Sequence, residues 1–114
     1  MKKILIVDDD ADNRLMLVDA LSAPGRVVST ADNAARAFEA LERLGGVDVL
    51  LTDQNMPTDN DGSALIAETK KRWPQTKCVL MSGRHGNLAE AERLNARFLP
   101  KPYRLEEVLF LCAT

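Results

Sequence analysis

Apolar residues recur along this chain with two alternating periods. Ile4 to Val7, Val47 to Leu51, Cys78 to Met81 and Ala96 to Leu99 are short runs rich in Val, Ile and Leu, the pattern of strands buried on both faces. Between them the apolar residues fall three and four apart, which predicts helices. These cover residues 11–22, a stretch from Asp32 or Asn33 to near Gly45-Gly46, one carrying Leu65, Ile66 and Thr69 that stops before Pro74, residues 87–95, and Arg104 to Cys112. Arg26 to Thr30 reads as a further strand, poorer in large apolar residues and therefore at a sheet edge. Asp10 precedes the first helix as an N-cap, with Leu17, Leu21 and Arg14 on the inward side. Leu15-Met16-Leu17-Val18 spreads apolar surface all round that helix, so one of the four is expected in solvent. The stretch 87–95 has only Leu88 and Leu94 as strong apolar positions and is expected to be the least stable element.

Five strands alternating with five helices predict an α/β fold, a doubly wound five-stranded parallel sheet with helices on both faces. The strand order 2-1-3-4-5 would set the first and third strands side by side at the switch point, where ligands bind beyond the carboxyl ends of the strands. Each of these apolar runs leads to chemistry at that edge: Asp8 and Asp9 after the first strand, Asp53 after the third, Ser82 after the fourth, Lys101 after the fifth. Three carboxylates with no histidine or thiolate make an all-oxygen site suited to Mg2+ or Mn2+. Lys101 and Ser82 would take phosphoryl oxygens, leaving Asp53 as an in-line nucleophile. A surface cluster with Lys101 as counterion would explain the charges, but not why all of them end strands on one side.

Composition narrows the field. A length of 114 residues matches one compact domain, 1–114. A net charge of -2 gives no electrostatic case for nucleic acid. No apolar run approaches a membrane span, and only four apolar residues follow Met1-Lys2-Lys3, too few for a signal peptide, so the cytoplasm is the expected compartment. Cys78 and Cys112 lack C-x-x-C spacing, and His85 has no second histidine to join in a zinc set; both cysteines read as reduced packing residues. The polar turn Thr58 to Gly62 is set aside as a calcium loop, because its first ligand position would be Pro57.

Taken together, Asp8-Asp9, Asp53 within Asp53-Gln54-Asn55-Met56-Pro57, Ser82-Gly83 and Lys101-Pro102-Tyr103 make the chain resemble, along essentially its whole length, a response-regulator receiver domain of two-component signalling, with a flavodoxin-like fold. That resemblance implies Asp53 as phosphoacceptor, Asp8, Asp9, Asp53 and the backbone carbonyl of Asn55 as Mg2+ ligands, Ser82 and Lys101 on the phosphoryl group, and Ser82 with Phe98 as the switch pair. It implies no enzyme activity beyond the domain's own phosphorylation and dephosphorylation. A histidine kinase or phosphotransfer protein is the implied donor, docking on the first helix, where Asp12, Asn13 and an exposed Met16 are the expected contacts. A downstream protein or a second copy would use the face from the fourth to the fifth helix. Two departures stand out: the turn between Pro57 and Gly62 is longer than the family's usual pattern by one residue, and the Ser82 to Lys101 interval shorter by about three.

Two other functions were open to the same residues. Asp8-Asp9-Asp10 fits the D-x-D start of Mg2+-dependent phosphohydrolases with Asp8 as nucleophile, although Asp12 stands where that motif has Thr or Val. A pseudo-receiver that binds partners without modification would lack Asp53, Lys101 or the acid pair, and all are present. A flavin site is disfavoured by three acids where a phosphate would bind.

Overall fold

The computed structural model describes residues 2–56, 61–84 and 86–113. Pro57, the polar turn 58–60 that the calcium argument concerns, and His85 lie outside the described residues. The elements alternate strictly: β1 (Lys2–Val7), α1 (Ala11–Leu21), β2 (Arg26–Ala31), α2 (Ala34–Leu44), β3 (Val49–Asp53), α3 (Asp61–Arg72), β4 (Lys77–Ser82), α4 (Asn87–Arg93), β5 (Arg97–Pro100) and α5 (Leu105–Ala113). All strands pair in parallel, in the expected order β2-β1-β3-β4-β5.

Alternation along the strands divides the core in two. Leu5, Val7, Leu50, Cys78 and Leu80 point to the side covered by α2, α3 and α4, where Ala37, Leu41, Leu65, Ile66 and Ala91 meet them. Ile4, Ile6, Val49, Leu51, Val79 and Met81 point to the other side, against Leu17 and Leu21 of α1 and Val108 and Cys112 of α5. Burying each large aliphatic side chain contributes about 1.5–3 kcal/mol, and the strand runs supply most of the fully buried ones.

The helix ends follow their local chemistry. Asp10 caps α1, its carboxylate accepting from the N–H groups of Asp12 and Asn13. Asn33, of the two candidates, caps α2, and Gly45 ends that helix in the left-handed conformation at φ 70°. Helix α1 exposes two apolar residues rather than one, Leu15 and Met16, the latter at 42%. At α4, Leu88 is 47% exposed, Leu94 packs partly buried against the core and the fully buried anchor is Ala91. Helix α5 buries Val108 and Cys112 but leaves Leu105, Leu109 and Phe110 exposed.

Candidate functional site

The carboxyl ends of β1 and β3 lie side by side, as Val7 pairs with Thr52. Asp8, Asp9 and Asp53 therefore converge, each offering a carboxylate oxygen within 4.8 Å of the others. They open on a crevice of about 440 Å³ shared with Asn13, Met16, Lys101 and Tyr103. The oxygen-only donor set fits a hard divalent ion.

Asp53 is held from two sides. Its Oδ1 accepts from the Gln54 N–H at 3.0 Å and from Lys101 Nζ at 2.9 Å. Among the described residues no hydrogen bond reaches Oδ2. Burial raises the Asp53 carboxyl above the ordinary carboxylate range, against the opposing hydrogen bond and charge of Lys101. Burial likewise works against the Lys101 charge, but the bond and charge of Asp53 outweigh it and hold the ammonium above the ordinary lysine range.

Asp8 is almost completely buried, at 1% exposure. Its Oδ1 accepts from the Asp10 N–H at 2.9 Å, its Oδ2 from the Asn13 amide, and its carbonyl oxygen from Arg14 Nη1 at 2.7 Å. Both carboxylate oxygens of Asp8 are thus engaged by the chain itself.

Ser82 ends β4 one residue beyond Met81, the partner of Asp53 in the sheet. Its hydroxyl donates to Asn87 Oδ1 at 2.5 Å and accepts from the Arg84 N–H at 3.0 Å, so it is tied to the start of α4. Its carbonyl oxygen accepts from the Lys101 N–H at 2.8 Å, joining the ends of β4 and β5. Phe98 is partly buried against the α2–α4 core and pairs with Leu80. Asp12 is exposed on the first turn of α1 and Met16 borders the crevice. Asn13, expected as a surface contact, is half-buried and turned into the site.

Sequence reasoning missed three supports. Gln54 is buried, and its side-chain carbonyl accepts from the Ser63 N–H at 2.8 Å while its amide nitrogen donates to Ser63 Oγ at 2.6 Å, clamping α3 to the end of β3. Gly62 lies so close that a Cβ there would come within 2.3 Å of the Asp53 carbonyl oxygen. Tyr103 closes the crevice, its hydroxyl donating to Asn13 Oδ1 at 2.7 Å. A glycine inside the first turn of a helix, rather than at its end, is the one of these signals visible in the sequence.

This arrangement of fold and strand-end residues is that of a signalling module, and residues 4–111 match the response regulator receiver domain family, to which the chain belongs. Receiver domains are phosphoacceptor signalling domains of two-component systems; they bind Mg2+ at an acidic pocket and interact with histidine kinases and downstream effectors. The chain is 36% identical to part of the sensor kinase CckA of Brucella abortus, covering 92% of this chain but only 11% of that protein. It is 34% identical to the response regulator receiver protein CpdR of the same organism, over 96% of this chain and 92% of CpdR. The receiver domain of NtrX from Brucella abortus superposes with a TM-score of 0.83 at 31% identity, covering 96% of this chain and 94% of that one. Among the described residues no helix is long and apolar enough to cross a membrane.

Proposed function

We propose that Asp53 accepts a phosphoryl group from a histidine kinase or a phosphotransfer protein, and that the modification changes how Ser82, Phe98 and α4 are arranged. The observation that supports this reading is the holding of Asp53 Oδ1 by Lys101 and the Gln54 N–H in a residue that lines the crevice. Asp53 Oδ2 attacks the phosphorus, and the bond from phosphorus to the donor's leaving group breaks. Lys101 orients the nucleophile beforehand and pairs with the transferred phosphoryl oxygens afterwards. A divalent ion, Mg2+ or Mn2+, held by Asp8, Asp9, Asp53 and the carbonyl of Asn55, would supply positive charge to the phosphoryl oxygens.

For Ser82 to reach the phosphoryl group its hydroxyl must leave Asn87, freeing the start of α4. Phe98 then takes the space that Ser82 vacates, in the manner of a two-state switch. Asp12, Asn13 and Met16 border the face of α1 that a donor would meet, and the α4 to α5 face, with Leu88 and Phe110 exposed, is the surface for an effector or a second copy.

Incubation with acetyl phosphate, with and without Mg2+, followed by intact mass measurement tests the assignment. One acid-stable, base-labile and hydroxylamine-labile phosphoryl group is expected, absent in Asp53→Asn and in chelator. Modification that persists in Asp53→Asn and vanishes in Asp8→Asn would favour the phosphohydrolase. A folded protein that gains no phosphoryl group with any divalent ion would favour the pseudo-receiver.

A further inference from the structure

Asn13 occupies the place where the crevice meets α1, and its side chain faces two ways. The amide nitrogen donates to Asp8 Oδ2, and the amide oxygen accepts from the Tyr103 hydroxyl at 2.7 Å. These partners determine the orientation of the amide, since the reverse would set its oxygen against a carboxylate oxygen, acceptor against acceptor. Asn13 therefore bridges the end of β1 to the ring that follows β5. The other Asp8 oxygen is held by a backbone N–H, which cannot leave without unwinding the start of α1. Of the two bonds to the Asp8 carboxylate, only the one from Asn13 can be broken by turning a side chain.

A divalent ion held by Asp8 would present to its carboxylate the same sign of charge as the Asn13 N–H group. With an ion in the crevice, the amide hydrogens would face a cation rather than an anion. We propose that Asn13 is a positioning residue for ion binding: without the ion its amide substitutes for the cation on Asp8, and ion binding displaces the amide and breaks the Asn13–Tyr103 bridge. The inference rests on the ion reading of the crevice given above. Because Asn13 is neutral, its effect on the ion comes through this competition and not through net charge. Giving up a hydrogen bond to a charged acceptor holds such an equilibrium back by roughly tenfold. Tyr103 makes the event visible, as it is the only tyrosine in the chain.

The test is a titration with Mg2+ alone, followed by NMR of side-chain amides and of the tyrosine ring, on the unaltered protein, Asn13→Ala and Tyr103→Phe. In the unaltered protein the Asn13 amide and Tyr103 ring signals are expected to move together, with the midpoint of ion binding. Asn13→Ala should bind Mg2+ about fivefold to tenfold tighter, and Tyr103→Phe about twofold tighter, because the amide loses the partner that orients it. A merely structural role would lower the melting temperature without tightening the ion. Should Asn13→Ala fail to fold, the Tyr103→Phe affinity and the unaltered protein's amide signal decide. Unchanged or weaker Mg2+ binding in the folded variants, or an Asn13 amide unmoved at saturation, overturns the competition alone. No Mg2+ binding by the unaltered protein overturns the ion reading and the competition with it.

Discussion

Asp53 is under opposed influences whose balance can be read as stability. Burial raises its carboxyl, Lys101 pulls it down, and Asp8 adds to the rise. A carboxyl raised above its unfolded value binds its proton more tightly in the folded chain, so stability falls as pH climbs from the ordinary value of 3.8 through the raised one. Asp53→Asn removes this loss. In chelator its melting temperature should exceed that of the unaltered protein at neutral pH, with the difference closing in acid below the carboxylate range; a gap independent of pH would contradict the account. Gly62 gives a second prediction, because the atoms a Cβ would strike belong to the backbone of Asp53 and Gln54 and cannot swing aside. Gly62→Ala is expected to cost about 1–3 kcal/mol in urea unfolding and to slow phosphorylation by acetyl phosphate. The acids and Lys101 were legible in the sequence because each follows an apolar run that can only be a strand. Asn13 was not, since one turn into a helix an amide looks like surface until the strands bring Asp8 and Tyr103 to it.

Helix α4 shows why element boundaries were easier to read than their anchors. Its seven residues match the shortened interval before Lys101, and its N-cap, Gly86, makes no side-chain capping bond. Periodicity weights residues by size and so points to Leu88, whereas the approach of α4 to the sheet is set by a small residue, Ala91. Leu88→Ala should therefore stay within about 0.5 kcal/mol of the unaltered protein, while Ala91→Leu costs about 1–3 kcal/mol; equal effects in urea unfolding would reverse the assignment. Helix α1 had a similar ambiguity, with four apolar residues in succession and only Leu17 fully buried. Met16 lies beside the crevice, on the face of α1 where a phosphodonor protein is proposed to dock. Met16→Ala should slow transfer from a cognate kinase several-fold and leave the rate with acetyl phosphate unchanged; a fall in both would assign Met16 to the chemistry instead.

The order of the sheet was legible because a crevice of acids needs β1 beside β3, which takes the α2 crossover from β2 past β1. Less legible was the division of the core into two layers, which depends on the strand register and not on any one run. A ligand that binds only the folded chain raises its stability, by about 2.7 kcal/mol at a hundredfold excess over its Kd. Mg2+ should thus raise the melting temperature of the unaltered protein, chelator should reverse it, and Asp9→Asn should blunt it; a Mg2+ effect of full size in Asp9→Asn would remove that residue from the ion site. The Lys101–Asp53 bond joins residues 48 apart in sequence and connects the last strand to the middle of the sheet. Because Lys101 comes after all five strands, a growing chain leaving the ribosome holds the acids long before it holds their counterion. If Lys101 acts as proposed, a nascent chain that lacks it is expected not to compete for phosphoryl groups.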